Sequence, residues 1–191
     1  MPYSPEHKEK SKQRILSSAY ALFSANGYSN ISINQIMADA SMTRGAFYAH
    51  FKNKSALYRE AILYAAENTA IVRHKPDELN DREWIKKLIE GYLHKQNISN
   101  DCRCPLASLV TDVTVREPDV RNAYTSTFKG LNKRIAKYTQ NYSSASNDAI
   151  LATTAMMIGG LAIARAVDDQ KLSERLLKVC IKQALCLLND D

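Results

Sequence analysis

Apolar residues recur along this chain at helical spacing, and no stretch shows the two-residue alternation of a half-buried strand. The first stripe is Ile15, Ala19, Leu22 and Phe23, at i, i+4, i+7 and i+8. It predicts a helix from about Pro5 or Lys8 to Asn26, with Gly27 as its stop. Lys8, Lys10, Lys12 and Arg14 crowd its start, where the helix dipole does not favour cations. They are either a solvated face or an arm lying along a phosphate backbone.

The stretch from Ile31 to Lys54, ISINQIMADASMTRGAFYAHFKNK, breaks into shorter pieces. Ser32 stands three residues before Gln35, the spacing of a capping box. The helix it opens turns Ile33, Ile36 and Met37 inward and ends near Ala40. Ser41 and Met42 make a turn, and Thr43 is placed to cap a new helix of about two turns. Phe47 and Phe51, spaced i, i+4, form its inner face. Arg44, Gly45, Ala46, Tyr48, Ala49 and His50 form the outer face. Asn53 caps the next helix, which starts at Lys54 and runs to about Val72 with Leu57, Ala61, Tyr64, Ala65 and Asn68 along one side.

The remainder keeps the helical pattern. Helices are expected over Asp81 to about Ile98 (Trp84, Ile85, Leu88, Ile89, Tyr92), Pro105 to near Glu117, and Pro118 to about Tyr142 (Tyr124, Phe128, Leu131, Ile135). Two more follow, about Ala149 to Asp168 and Leu172 to Asn189. The residues from Met156 to Ala164 are apolar all round, and so is much of the last helix. Apolar residues on more than one face need more than one packing partner. One is the chain's own core, and the other is expected to be a second copy, reached through Met157, Gly160, Ala164, Leu177, Ile181, Ala184 and Leu188. The alternative is the central helix of a monomeric bundle.

Length and composition narrow the class. The 191 residues can bury a core without disulfide staples. The apolar share of 45% and charged share of 24% are those of an ordinary globular chain. A net charge of +6 fits a polyanionic partner without requiring one. The longest apolar run, Ala155 to Ala164, has the length of a core helix rather than a membrane span, so no membrane partner is expected. The charged N-terminus MPYSPEHKEKSK lacks an apolar h-region, and the expected compartment is the cytoplasm.

Several positions in the short third helix and at the start of the next carry chemistry. Gly45 costs about 1 kcal/mol relative to Ala inside a helix, which makes sense where another backbone approaches closely. Arg44 has the forked geometry that bridges guanine O6 and N7. Thr43 and Tyr48 can bond phosphate oxygens. Lys54 at a helix start opposes the dipole, a penalty that a phosphate would remove.

Other sites read less sharply. Cys102 and Cys104 flank Arg103, which favours a thiolate and makes them redox candidates, or they are one loop thiol and one buried cysteine. Cys180 and Cys186 read as core. Trp84, Tyr92, Cys104, Tyr124, Phe128 and Met156 are candidates to line an apolar effector cavity, or are plain core. No metal set, cofactor loop, zinc-protease motif or nucleophile elbow stands in the sequence, and no enzyme activity is expected.

From Thr43 to Tyr58 the sequence TRGAFYAHFKNKSALY strongly resembles the TetR/AcrR family of bacterial transcriptional repressors. The likeness starts near Arg14, with ILSSAYALFSANGYSNISINQIMADA, and is close to about residue 60. CPLASLV, Cys104 to Val110, looks like a segment common in one branch. The resemblance implies an all-α fold of about nine helices in an Ω-shaped homodimer. Residues 1–52 would be the helix–turn–helix DNA-binding domain, and 53–191 the effector-binding and dimerisation domain. By position, Ser32, Thr43, Arg44, Gly45, Tyr48, His50 and Lys54 match family positions that touch DNA. Asn34, Ala46 and Ala49 complete the candidate set, Ala49 departing from the larger residue often found there.

The function expected is a repressor bound to a palindromic double-stranded operator and released by a small apolar or aromatic effector. The alternatives are a thiol-switched regulator or activator without small ligand, and a helical protein-interaction module.

Overall fold

The computed structural model describes residues 5–68, 75–98 and 104–189. Among them the regular elements are all helical. They are α1 (Pro5–Asn26), α2 (Ile33–Asp39), α3 (Arg44–Tyr48), α4 (Lys54–Asn68), α5 (Asp81–Tyr92), α6 (Pro105–Ser108), α7 (Pro118–Thr139), α8 (Asn147–Ala166) and α9 (Gln170–Leu188). Two 3₁₀ turns, Lys95–Asn97 and Asp112–Val115, lie between them.

The chain forms two compact units. The first holds α1 to α4 with residues 104–105 and 109–127. Its core joins Ile15, Ala19 and Phe23 of α1, Ile36 and Met37 of α2, Phe47, Phe51, and Leu57, Tyr58, Ala61 and Ile62 of α4. Leu109, Val113 and Val120 bury in that same core. The first unit therefore extends past the boundary expected at residues 52 and 53, because α4 has no separate core of its own.

The second unit holds α5, α6 from Leu106, α7 from Phe128, α8 and α9. Helix α8 packs along α9. An added Cβ at Gly160 would lie 2.8 Å from Cys180 Sγ, so glycine is what lets these two helices approach. Ser173 Oγ donates to the Ala164 carbonyl at 2.8 Å beside that crossing.

Three helices are shorter than the apolar pattern suggests. Helix α5 stops at Tyr92 because Asn97 Nδ2 donates to the carbonyls of Gly91 (2.8 Å) and Tyr92 (2.9 Å), closing the last turn. The helix expected from Pro105 to Glu117 breaks after Ser108. Val110, Thr111, Val113, Thr114 and Val115 are β-branched, and Thr114 Oγ1 takes the Thr111 carbonyl at 2.7 Å, so the chain tightens into a 3₁₀ turn. Helix α7 ends at Thr139 instead of Tyr142.

Helix α8 also corrects the membrane argument. Its 20 residues are long and apolar enough, by length and composition, to cross a bilayer. Polar residues flank the apolar run that the sequence showed, and the helix includes them. Ile150, Thr153, Thr154, Met157, Ile158, Leu161 and Ala164 are buried by the chain itself, the pattern of a core helix.

Candidate nucleic-acid interface

Helix α2 is set by its ends. Ser32 and Gln35 form the reciprocal capping box: Gln35 N donates to Ser32 Oγ at 3.2 Å and Ser32 N to Gln35 Oε1 at 2.8 Å. At the other end Ser41 adopts φ +55, the left-handed region. Ser41 N donates to the Ala38 carbonyl and Met42 N to the Met37 carbonyl, at 2.9 and 2.8 Å. This is the Schellman pattern with serine where glycine is usual. Met42 packs against the unit's core as the chain leaves the turn. Arg14 of α1 completes the arrangement, its Nη2 donating to the Ala40 carbonyl at 2.7 Å.

Helix α3 then presents one buried and one open face. Phe47 and Phe51 are buried, their rings 5.7 Å apart. Thr43, Arg44, Gly45, Tyr48 and Ala49 are exposed. Tyr48 is 59% exposed, and its ring meets that of Phe47 edge-on at 5.1 Å. Space beside Gly45 is open: its nearest neighbour to an added Cβ would be Thr43 Oγ1 at 3.9 Å. Nothing in the chain's own packing therefore requires glycine there.

The remaining candidates sit differently from one another. Asn34 is exposed on α2. Ser32 is exposed, but its hydroxyl also donates to Gln35 Oε1 at 2.7 Å. Ala46, expected outside, is half-buried against the core beside Phe47. Thr43 occupies the N-cap position without a side-chain bond, because its carbonyl already takes the Ala46 amide at 3.0 Å. His50 is half-buried, and its pKa lies below the usual histidine value, through burial first and then Lys8 and Lys12, with Glu9 opposing.

Lys54 turns away from the open face. Its Nζ donates to the Tyr28 carbonyl and lies 4.2 Å from the centre of the Tyr28 ring. Burial and Arg116 lower its pKa, and Asp112 opposes them. The cost of a cation at this helix start is thus offset inside the protein, without a phosphate. Asn53 caps the same helix, Oδ1 accepting from Ala56 N at 2.8 Å. In the basic α1, Lys10 pairs with Glu6 at 2.7 Å and Lys12 with Glu60 at 2.8 Å, so these cations are already engaged.

The effector candidates divide between the units: Trp84, Tyr92, Phe128 and Met156 in the second, Cys104 and Tyr124 in the first. Burial pushes the Tyr124 hydroxyl pKa up to about 12, with Cys104 adding to it. Cys102 lies outside the described residues. Cys104 and Cys180 are buried, and Cys186, expected in the core, is exposed.

The dimer candidates need a larger correction. Met157, Gly160, Ala164, Leu177, Ala184 and Leu188 are buried within the chain, and Ile181 is half-buried. An all-round apolar pattern does not say which face meets the chain's own core. The face left open is another one: Leu151, Ile163, Leu172, Val179 and Leu187 are exposed, with Ala152, Ala155 and Ala166 between them.

A capped helix, a fixed turn and a second helix with one open face define the helix–turn–helix class. Residues 15–61 match the sequence model of the bacterial regulatory proteins, tetR family. The chain is 34% identical over 95 residues to the transposon Tn10 TetC protein of Escherichia coli, covering 48% of this chain and 47% of that protein. It is 44% identical over 55 residues to the regulator AcrR of Shigella flexneri, covering 29% and 26%. To the probable acrEF/envCD operon repressor of Escherichia coli it is 41% identical over 51 residues, covering 27% and 23%.

The matches thus span about half the length of these relatives, or less. The fold extends further. Reduced NemR of Escherichia coli superposes with a TM-score of 0.76 at 17% identity, over 92% of this chain and 95% of that one. A TetR-family regulator of Agrobacterium tumefaciens gives 0.75 at 16% identity, over 92% and 98%. The N-terminal residues 15–61 are thus similar to the TetR family of bacterial regulatory proteins, and the fold of the chain is that of solved TetR-family regulators.

Proposed function

We propose that this chain is a homodimeric transcriptional repressor, active in the cytoplasm, that binds a palindromic operator and is released by a small apolar or aromatic molecule. The observation that carries the reading is the open face of α3. Thr43, Arg44, Gly45, Tyr48 and Ala49 stand together in solvent on a helix whose other side is locked by Phe47 and Phe51. Arg44 is the residue for bidentate contact with guanine, and the small residues let the backbone approach. One relative is named an operon repressor, which supports repression over activation.

Two such faces need a fixed spacing. The open apolar face of α8 and α9 suits a second copy, because helices of the same sequence meet there with matching small and branched residues. Release by an effector requires that the effector bind one head spacing better than the other.

Selection from a random duplex pool tests the reading. The wild-type protein is expected to enrich a two-fold symmetric sequence. Arg44→Ala should lose roughly 1–3 kcal/mol of affinity for it and relax the preference at one base pair per half-site. Recovery of no sequence, with only weak salt-dependent binding, would favour the interaction-module reading instead.

A further inference from the structure

Asp112 lies far from α3 in sequence, yet it joins the two ends of the helix–turn–helix. Its Oδ2 accepts from the Tyr58 hydroxyl of α4 at 2.6 Å. Its Oδ1 lies 3.4 Å from the Tyr28 amide, just after Gly27, whose φ of +78 turns the chain out of α1. Tyr28 stands before α2 and Tyr58 after α3, so one carboxylate bridges the segment that leads into the motif and the helix that leaves it.

The neighbours reinforce the bridge. Arg116 Nη2 reaches Asp112 Oδ1 at 3.4 Å, and its guanidinium lies 4.5 Å from the Tyr28 ring centre. Lys54 holds the Tyr28 carbonyl and approaches the same ring. Phe23, Tyr28 and Tyr58 pack together, with Phe23 edge-on to Tyr58 at 4.8 Å and Tyr28 5.0 Å from Tyr58. Ser55 Oγ donates to Glu117 Oε2 at 2.8 Å, adding a second tie between the start of α4 and the same distant segment. Tyr58 is fully buried, and burial followed by Asp112 raises its pKa, so its hydroxyl stays a donor.

An anion has no use as a direct phosphate contact, and this one has its acceptor sites committed to the fold. We infer that Asp112 is a positioning residue for DNA recognition: through Tyr28 and Tyr58 it sets the angle at which α3 is offered to the groove. The inference rests on the DNA-binding reading above.

The test compares Asp112→Ala, Asp112→Asn and Tyr58→Phe on two duplexes, the one selected by the wild type and a random sequence of equal length. All are measured at a temperature where each protein is fully folded. Ile62→Val serves as a control that loosens the same core by one methylene.

Asp112→Ala and Tyr58→Phe should each lose about tenfold or more on the selected duplex and little on the random one. Asp112→Asn, which keeps the acceptor, should recover most of the loss. The double variant of Asp112→Ala with Tyr58→Phe should lose less than the product of the two single effects. Unchanged affinity in both single variants, equal losses on both duplexes, or a matching selective loss in Ile62→Val would overturn the inference. A wild type that selects no duplex would instead remove the DNA-binding reading, and the inference with it. Should Asp112→Ala fail to fold, Tyr58→Phe alone decides, since it removes one oxygen.

Discussion

Arg14 Nη2 of α1 donates to the Ala40 carbonyl, the C-cap of α2, at 2.7 Å. A cation here serves two needs: it satisfies a helix-end carbonyl and opposes the negative end of the α2 dipole. With its side chain exposed to solvent, the bond is screened. Arg14→Met should therefore lower stability by about 1 kcal/mol, less than a buried charged bond would. Denaturant midpoints measure the loss, and hydrogen exchange should show it first at the amides of Ala40, Ser41 and Met42. A loss spread evenly over α1 and α4 would contradict a local capping role.

Gly45 separates folding from binding. Open space surrounds its Cα, and the helical backbone accepts a side chain. Gly45→Ala should stabilise the free protein by up to about 1 kcal/mol. The added methyl stands on the face offered to DNA, so affinity for the selected duplex should fall. A variant both less stable and equally tight in binding would remove the argument from close approach.

His50 gives a pH dependence whose sign is fixed. Burial, Lys8 and Lys12 hold its pKa below the usual value, with Glu9 opposing. In the free protein the imidazole is therefore largely neutral at pH 7. A phosphate beside it would raise the pKa, so binding takes up a proton. Affinity should strengthen as pH falls through the window between the raised bound value and the lowered free value, and level off below the free value. The same depression means that folding stability, complete above the unfolded value near 6.5, falls as pH drops toward the folded value. His50→Gln should flatten the binding profile. A wild-type profile already flat between pH 5.5 and 8 would place His50 away from phosphate.

The two faces of α8 and α9 should come apart experimentally. Val179→Glu puts a charge on the open apolar face and should leave a folded monomer by sedimentation. Gly160→Ala meets Cys180 Sγ inside the chain and should cost stability, about 1–3 kcal/mol by the usual penalty of overpacking. It should leave association intact below the melting range. A Val179→Glu protein that sediments as a dimer would move the interface elsewhere.

What could be read from the sequence follows from how far each cause acts. The ends of α1 and α2 are set by residues within a turn of them, such as Ser32 and Gln35, and they stand where the pattern puts them, whereas α9 starts two residues earlier than its apolar pattern, at Gln170, capped by Asp169. The open face of α3 was legible because Phe47 and Phe51 fix the opposite side. Ser41 at positive φ was not, since glycine is the usual signal and serine carries none. Arg14 reads from the sequence as part of a solvated face or of a phosphate-binding arm, because its acceptor is 26 residues away. Asp112 shows no local sign of its role, its partner being 54 residues distant. The helices apolar all round, α8 and α9, announced two partners without saying which face took which.

The turn between α2 and α3 is held by main-chain amides and carbonyls, with Arg14 bracing it from behind. None of its bonds draws on Arg44, Tyr48 or Ala49. Those three side chains can therefore be exchanged like type in a fixed frame, and a library varied at these positions alone should yield folded proteins with new operator preferences.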